Sequence, residues 1–152
     1  MSERAVSTTL GFVLTLSITT ILISGIMAGA GGYVATEHER VTETELEVVG
    51  QRLAANLESV DRMASSSDDE TVERVSTRLE LPNRVAGTTY RISVESGSNQ
   101  LVLRSVDPEV TVSVTVETTA QLEDGSVDAG VVIVTSDDFD GDGDHELEVT
   151  NG

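Results

Sequence analysis

Length, composition and charge already exclude several classes of function. The chain has 152 residues with 27 acidic and 9 basic ones, every basic residue is arginine, and the net charge of -18 repels phosphate backbones, so no nucleic-acid partner is expected. It has no cysteine, which excludes disulfides, thiolate metal sites and a cysteine nucleophile.

An uncharged segment follows the first few residues. From residue 5 to residue 36 there is no Asp, Glu, Lys, Arg or His, and Glu37 ends the run. A bilayer core about 30 Å thick needs about 20 helical residues, so residues 10–30, "LGFVLTLSITTILISGIMAGA", would span it. Ser and Thr hydroxyls in such a helix can bond to backbone carbonyls one turn back. The sequence therefore predicts a transmembrane helix over residues 6–36, preceded by the short segment of residues 1–5.

Small residues in this segment favour contact with a second helix. "GIMAG" places Gly25 and Gly29 on one helix face, with Ala28 and Gly32 beside them. Small residues at this spacing let two membrane helices approach closely. Because such pairs also occur by chance in apolar segments, the pattern is equally compatible with a helix that has no partner.

A cleaved secretory signal is the main alternative for the same segment. Arg4 would be its basic region, and "AGA" at residues 28–30 fits a cleavage site between Ala30 and Gly31. Two features count against it: the apolar stretch exceeds the roughly 7–15 residues of an ordinary signal, and a helical pattern continues beyond it. The anchor is the preferred interpretation, and secretion stays open.

An amphipathic helical extension is predicted over residues 37–64. This stretch has no proline and one glycine, Gly50. Its apolar residues recur at helical spacing and form one stripe: Leu46, Val49, Leu53, Leu57 and Val60. Charged residues, Asp61 among them, are predicted to fill the exposed surface. The stripe is predicted to pack against a sheet, and "SSSDD" opens a linker over residues 65–71.

The remaining residues, 72–152, predict a β-rich head of five or six strands. "EVTVSVTVET" alternates valine with polar residues, which is the period of a strand with one buried face. "TYRISVES" and "QLVLRSV" flank "GSN" and predict a hairpin with Gly97 at the turn. "RVSTRLEL" before Pro82 predicts another strand, and "GVVIVTS" and "HELEV" predict a last hairpin. The fold class is α+β: a long N-terminal helix, membrane-spanning and then amphipathic, packed on a small antiparallel β-rich domain.

One stretch of the head offers metal chemistry. "DFDGDGDHE" places four carboxylates on a glycine-containing loop: Asp138, Asp140, Asp142 and Glu146. Alternate carboxylates in a turn can converge on Ca²⁺, which takes about six to eight oxygens. The spacing resembles the Ca²⁺ loop of integrin-type repeats better than an EF-hand, whose twelfth position is Val149 here. The preferred interpretation is a solvated hairpin turn without metal, and no cofactor is expected.

Nothing in the sequence predicts an enzyme. The two histidines, His38 and His145, lie among acidic residues, and no G-x-S-x-G nucleophile pattern occurs. "AGAGG" lacks the preceding strand and the spacing of a phosphate-binding loop. "LPNRVAGTTY" contains the proline, asparagine and glycine that a turn between strands requires. A structural or binding role is therefore favoured over catalysis.

The order of these elements resembles that of archaeal type IV pilins and pilin-like proteins. "RAVSTTLGFVLTLSITTILISG" resembles the haloarchaeal pilin N-terminus, although the usual proline near Thr9 is missing. Leu10 stands where bacterial pilins carry a glutamate. More narrowly, "RAVSTTLGFVL", "VVGQRLAANLESVDR" and "LPNRVAGTTYRI" resemble an uncharacterised haloarchaeal membrane-anchored family grouped with pilin-like proteins. The acidic, lysine-free composition is similar to that of proteins from extreme halophiles.

This resemblance implies processing by a prepilin peptidase on the cytoplasmic side. Arg4 would be the basic residue of the leader, and the cut would fall between Ala5 and Val6, which removes the charge and keeps the apolar helix. The helix would anchor the protein in the cell membrane with its head outside, and would then pack with other pilin-like subunits in a surface filament. A single-pass anchored binding domain that never polymerises is the alternative.

Overall fold

A computed structural model describes residues 2–66, 74–138 and 144–152, with side chains from residue 9 onward. The chain divides into two units, Met1–Glu37 and His38–Gly152. One α-helix, α1 (Ser2–Ser65), contributes residues to both. The first unit is helical, as expected of an uncharged run without proline.

The second unit contains two four-stranded sheets. The strands in its described part are β1 (Val75–Glu80), β2 (Tyr90–Glu95), β3 (Gln100–Ser105), β4 (Thr111–Thr115), β5 (Gln121–Leu122), β6 (Gly125–Asp128), β7 (Val131–Asp137) and β8 (Glu146–Asn151). One sheet has the order β1-β7-β8-β5 and the other β4-β3-β2-β6. Neighbouring strands are antiparallel except β5 and β8, which run parallel. The predicted α+β fold class is confirmed.

The apolar stripe of α1 lies in the core of the second unit. Its five residues are at most 5% exposed: Leu46, Val49, Leu53, Leu57 and Val60. They belong to the same buried cluster as Val132 and Val134 of one sheet and Ile92 and Leu103 of the other. Burying a side chain of this size contributes about 1.5–3 kcal/mol. The helix therefore supplies the face that the strands need to cover their own apolar sides.

Gly50 allows α1 to approach β3 and β4 closely. A β-carbon placed on Gly50 would lie 2.7 Å from Cγ2 of Val114 and 2.9 Å from Cδ1 of Leu103, which is too close for carbon atoms. Glycine inside a helix costs about 1 kcal/mol relative to alanine. That cost is offset by the packing of both side chains against the bare helix backbone.

The strands reproduce the predicted hairpins and add two segments that were missed. β2 pairs with β3, and β7 pairs with β8. The prediction of five or six strands is wrong, since the described part of the head has eight. The two missed strands, β5 and β6, have only two and four residues, which is too few to show the period of a strand. β6 lies beside β8, where Asp128 N donates to Asn151 Oδ1 at 3.1 Å.

The turn between β2 and β3 differs from its prediction. A short 3-10 helix, η1 (Ser96–Ser98), fills it, and the left-handed residue is Asn99 with φ 49°, whereas Gly97 has no positive φ. Asparagine is among the few non-glycine residues that adopt this conformation readily. The left-handed residue of the turn is therefore Asn99, two residues after the predicted Gly97.

Candidate functional site

Residues 9–36 of α1 present an uncovered apolar surface. Large side chains along it are well exposed, including Leu10 at 65%, Phe12 at 69% and Ile21 at 71%. Within the described part of the chain, α1 is the one helix that is long and apolar enough to cross a membrane. A contiguous apolar surface of this length indicates a lipid or protein environment rather than water.

The hydroxyl groups in this helix are satisfied within the helix itself. Six of them donate to the carbonyl four residues earlier at 2.8–3.1 Å: Thr15, Ser17, Thr19, Thr20, Ser24 and Thr36. The expected backbone bonding of these hydroxyls is confirmed. Their donors therefore need no water, which makes the segment compatible with a hydrocarbon environment.

The small-residue face makes no packing contact within the described chain. A β-carbon added at Gly25, Gly29 or Gly32 meets no atom within 4 Å, and Ala28 is exposed. These positions have room for another helix to approach. Whether one does stays a prediction.

The predicted cleavage segment lies at the start of α1. Arg4, Ala5 and Val6 belong to the helix Ser2–Ser65, and their side chains lie outside the described part. The helical backbone runs through the predicted cut, so the structure separates no leader from the apolar run. A helical segment at a cleavage point must unwind locally to enter a protease.

The first residues of the second unit hold a tight turn of the head. His38 Nε2 lies 2.9 Å from the carbonyl oxygen of Ala86, and since a carbonyl only accepts, this nitrogen carries the hydrogen. Glu45 accepts the N–H of the same residue. Ala86 has φ 46° and Gly87 φ 83°, so both lie in the left-handed region. One helix face thus fixes both backbone groups of a left-handed residue, as a turn requires.

Tyr90 secures the other side of this turn. Its hydroxyl donates to the carbonyl oxygen of Pro82 at 2.6 Å, and its side chain is 4% exposed. Burial raises the pKa of Tyr90 to about 12, because a phenolate would lose its hydration there. The phenol is therefore neutral and acts as a structural donor. "LPNRVAGTTY" forms a turn held by hydrogen bonds, as its composition predicted.

Asp61 ties the end of α1 to the loop before β5. Its carboxylate accepts the N–H of Thr119 at 2.9 Å, the hydroxyl of Thr119 at 3.0 Å and the N–H of Ala120 at 3.0 Å. The residue is 6% exposed, so its predicted place on the solvated helix surface is wrong. A buried carboxylate with three donors is a strong structural contact.

The acidic loop is only partly within the described residues. Asp138 is half-buried, and Asp140 and Asp142 lie outside the described part. Glu146 is the first residue of β8 and is 7% exposed, so the expectation that all four carboxylates are solvated at the hairpin tip is wrong for this one. Its position in the sheet accounts for the burial, because Glu146 lies between Asp137 of β7 and Gln121 of β5. The expected absence of metal from this loop remains a prediction.

An ion pair stands next to this loop. Arg74 donates to Asp137 Oδ2 through Nε at 2.7 Å and through Nη2. This hydrogen bonding holds the pKa of Asp137 below its usual value. The ionised Asp137 is thus accounted for by its arginine. Residues 74–138 and 144–152 contain no group of three or more metal-ligating side chains close enough to hold an ion.

The outer face of the sheet β4-β3-β2-β6 carries a shallow hollow of about 840 Å³. Its lining includes Arg91, Glu95, Arg104 and Asp128. Arg91 Nε donates to Asp128 Oδ1 at 2.9 Å, with both side chains largely exposed. Solvated ion pairs of this kind contribute little, and the lining holds neither histidine nor a paired nucleophile and base. The hollow gives no geometry for catalysis.

Comparison with known proteins gives one match. Residues 1–148 match a family of unknown function, DUF7266. No curated protein and no solved structure matches the chain. The match includes the apolar helix as well as the β-rich head, so the two parts are one family architecture.

Proposed function

Since the chain belongs to the DUF7266 family, whose match spans both its apolar helix and its β-rich head, we propose that it is a membrane-anchored surface protein with a pilin-like architecture. The observation that carries this is the uncovered apolar surface of residues 9–36, whose hydroxyl groups bond within the helix. The same helix continues into the stripe that forms the core of the head. An anchor and the central helix of the folded domain are thus one element.

The proposed life cycle begins with processing. A prepilin peptidase cuts between Ala5 and Val6 on the cytoplasmic side, removes Arg4 and leaves the apolar helix intact. The head lies outside, where its net negative charge keeps it solvated. The sequence resemblance at "RAVSTTLGFVLTLSITTILISG" supports this scheme, and the role is structural rather than catalytic.

Two arginines in the centre of the apolar segment test the anchor. Ile18→Arg with Leu22→Arg places two charges at the bilayer centre, each costing about 2.5–3.5 kcal/mol on insertion scales. We expect the wild type to stay in the membrane pellet after alkaline carbonate extraction and the double variant to leave it. Ile18→Leu with Leu22→Ile is the matched control and should stay in the pellet. Wild-type protein recovered in the medium would contradict the anchor and favour secretion.

A second pair of substitutions tests assembly through the small-residue face. Gly25→Leu with Gly29→Leu keeps the helix apolar and, since nothing in the described chain lies against these positions, leaves the fold intact. Close helix approach is blocked, so we expect co-purification with other pilin-like subunits to fall several-fold. Gly11→Leu, on the same helix and equally uncrowded, is the control. An unchanged yield of partners would favour the anchored domain that never polymerises.

A further inference from the structure

The free edge of β4 exposes backbone hydrogen-bonding groups. β4 stands at the end of its sheet. Ser105 N donates to Val110 O and Val116 N donates to Asn99 O, both at 2.9 Å, so the even-numbered residues of β4 bond to β3. In an antiparallel pair the residues between them point their N–H and C=O groups away from the partner strand. The outward groups are those of Thr111, Ser113 and Thr115.

This edge lacks the features that usually protect one. Natural edge strands carry charges, proline, bulges or a cover, and charged residues make up 24% of this chain. Yet β4 has the sequence TVSVT, without charge or proline. β1, an edge strand of the other sheet, is different. Leu81 N donates to Gly130 O, so by the same alternation the N–H and C=O groups of Ser76, Arg78 and Glu80 point away from β7. β1 is guarded by two charges, and β4 is not.

An acidic groove runs beside the unguarded edge. Val112 and Val114 face α1 but are only partly buried, whereas their partners on β3, Leu101 and Leu103, are fully buried. The groove measures about 390 Å³ and lies between these valines and one row of the helix: Glu43, Glu47 and Gln51. A strand laid along β4 would cover both valines and meet the two glutamates.

We propose that β4 binds an extended segment of a partner protein as an additional strand. The segment carries Arg or Lys and small apolar residues alternately on the face toward α1, and small polar residues on the other face. Main-chain bonds to Thr111, Ser113 and Thr115 supply affinity, and the side-chain pattern supplies specificity. Arginine suits the groove because its aliphatic stem covers valine while its guanidinium reaches a carboxylate.

A second copy of this chain is the less suitable occupant. Pairing β4 with β4 of another copy would bring two rows of Glu43 and Glu47 together, and like charges across an interface disfavour association. The groove is complementary to a basic segment instead. This inference concerns the head alone and holds whether or not the apolar helix assembles into filaments.

Peptide binding to the full chain in detergent micelles tests the proposal. The probe is a fluorescein-labelled octapeptide, Arg-Thr-Val-Thr-Arg-Thr-Val-Thr, followed by fluorescence anisotropy, with the same peptide carrying Glu for Arg as the comparison. We expect saturable binding of the arginine peptide that weakens as KCl rises from about 0.2 M to about 2 M, and none of the glutamate peptide.

Two proline variants separate the two edges. Ser113→Pro removes an outward N–H of β4 without removing a bond to β3, and Ser76→Pro does the same on β1. We expect Ser113→Pro to weaken binding at least about tenfold and Ser76→Pro to leave it unchanged, with the head still folded by circular dichroism. Glu43→Gln with Glu47→Gln leaves the backbone untouched, so it covers the case in which Ser113→Pro unfolds the head. It should also weaken binding and reduce its salt dependence.

Three kinds of result would overturn the proposal. The first is no saturable binding of the arginine peptide to the wild type. The second is equal binding of both peptides, or an equal loss from both proline variants. The third is concentration-dependent self-association of the head that Ser113→Pro abolishes, since the occupant would then be a second copy.

Discussion

Replacing Asp61 with alanine is expected to lower the free energy of unfolding by about 2–3 kcal/mol. The carboxylate accepts three hydrogen bonds from Thr119 and Ala120 in a place where it is 6% exposed. Removing it takes the acceptor from two backbone N–H groups, one of them on exposed Thr119 and the other on half-buried Ala120, so water replaces part of the loss, and hydrogen bonds to a charged group contribute about 1.5–3 kcal/mol. Chemical denaturation of the full chain in micelles, followed by circular dichroism of the β-rich head, measures the change.

Glu58→Ala is the matched control for this measurement. Glu58 lies three residues before Asp61 on the same helix and pairs with Arg62 at 3.8 Å across the surface. Exposed pairs of this kind contribute about 0–1 kcal/mol, so its loss should be small. Equal effects of Glu58→Ala and Asp61→Ala would show that Asp61 does not hold the loop before β5.

Truncating the centre of the helix stripe is expected to destabilise the head by a similar amount. Leu53→Ala and Leu57→Ala should each cost about 2–5 kcal/mol, because both side chains are 0% exposed within a cluster drawn from both sheets. Thermal unfolding of the full chain, compared at one temperature, measures each loss.

Val48→Ala tests whether burial causes this loss. Val48 lies on the same helix but is 60% exposed, so its truncation should change stability by less than about 0.5 kcal/mol. A loss below that value for Leu53→Ala would contradict the packing described here. The stripe would then contact a neighbouring molecule rather than its own sheets.

Periodicity predicted the parts of this fold that depend on local sequence. A helix repeats about every 3.6 residues and a strand every two, so the stripe from Leu46 to Val60 and the valines of β4 could be identified without a structure. The hairpins joining β2 to β3 and β7 to β8 followed from short polar turns between such runs. The length of the uncharged run, residues 5–36, predicted an apolar helix that could span a membrane.

Contacts between distant residues could not be predicted in the same way. Asp61 looks like any charged helix residue, and its acceptor role depends on a loop 58 residues away. Glu146 is buried between β7 and β5, and its acidic neighbours in the sequence give no sign of this position. β6, the last strand of the sheet β4-β3-β2-β6, has four residues and begins at a glycine, so its sequence shows no strand period. In each case a tertiary contact outweighs the local preference of the residue.

The candidate site shows the same limit. The sequence identified Gly25 and Gly29 as a face suited to helix contact, but a contact with another molecule leaves no trace in one chain. The turn at Ala86 was predicted from its composition, whereas its attachment to His38 and Glu45 was not. A single histidine among acidic residues carries no pattern that distinguishes a solvated ring from one bound to a carbonyl.

The N-terminal residue of the mature, membrane-bound protein tests the central claim most directly. That claim is that a short leader is removed while the whole apolar helix is retained as the anchor. Intact-mass and N-terminal peptide analysis of protein purified from membranes should find Val6 first. A start at Gly31 would contradict the claim, because the anchor would have been discarded, and a start at Met1 or Ser2 would contradict the processing.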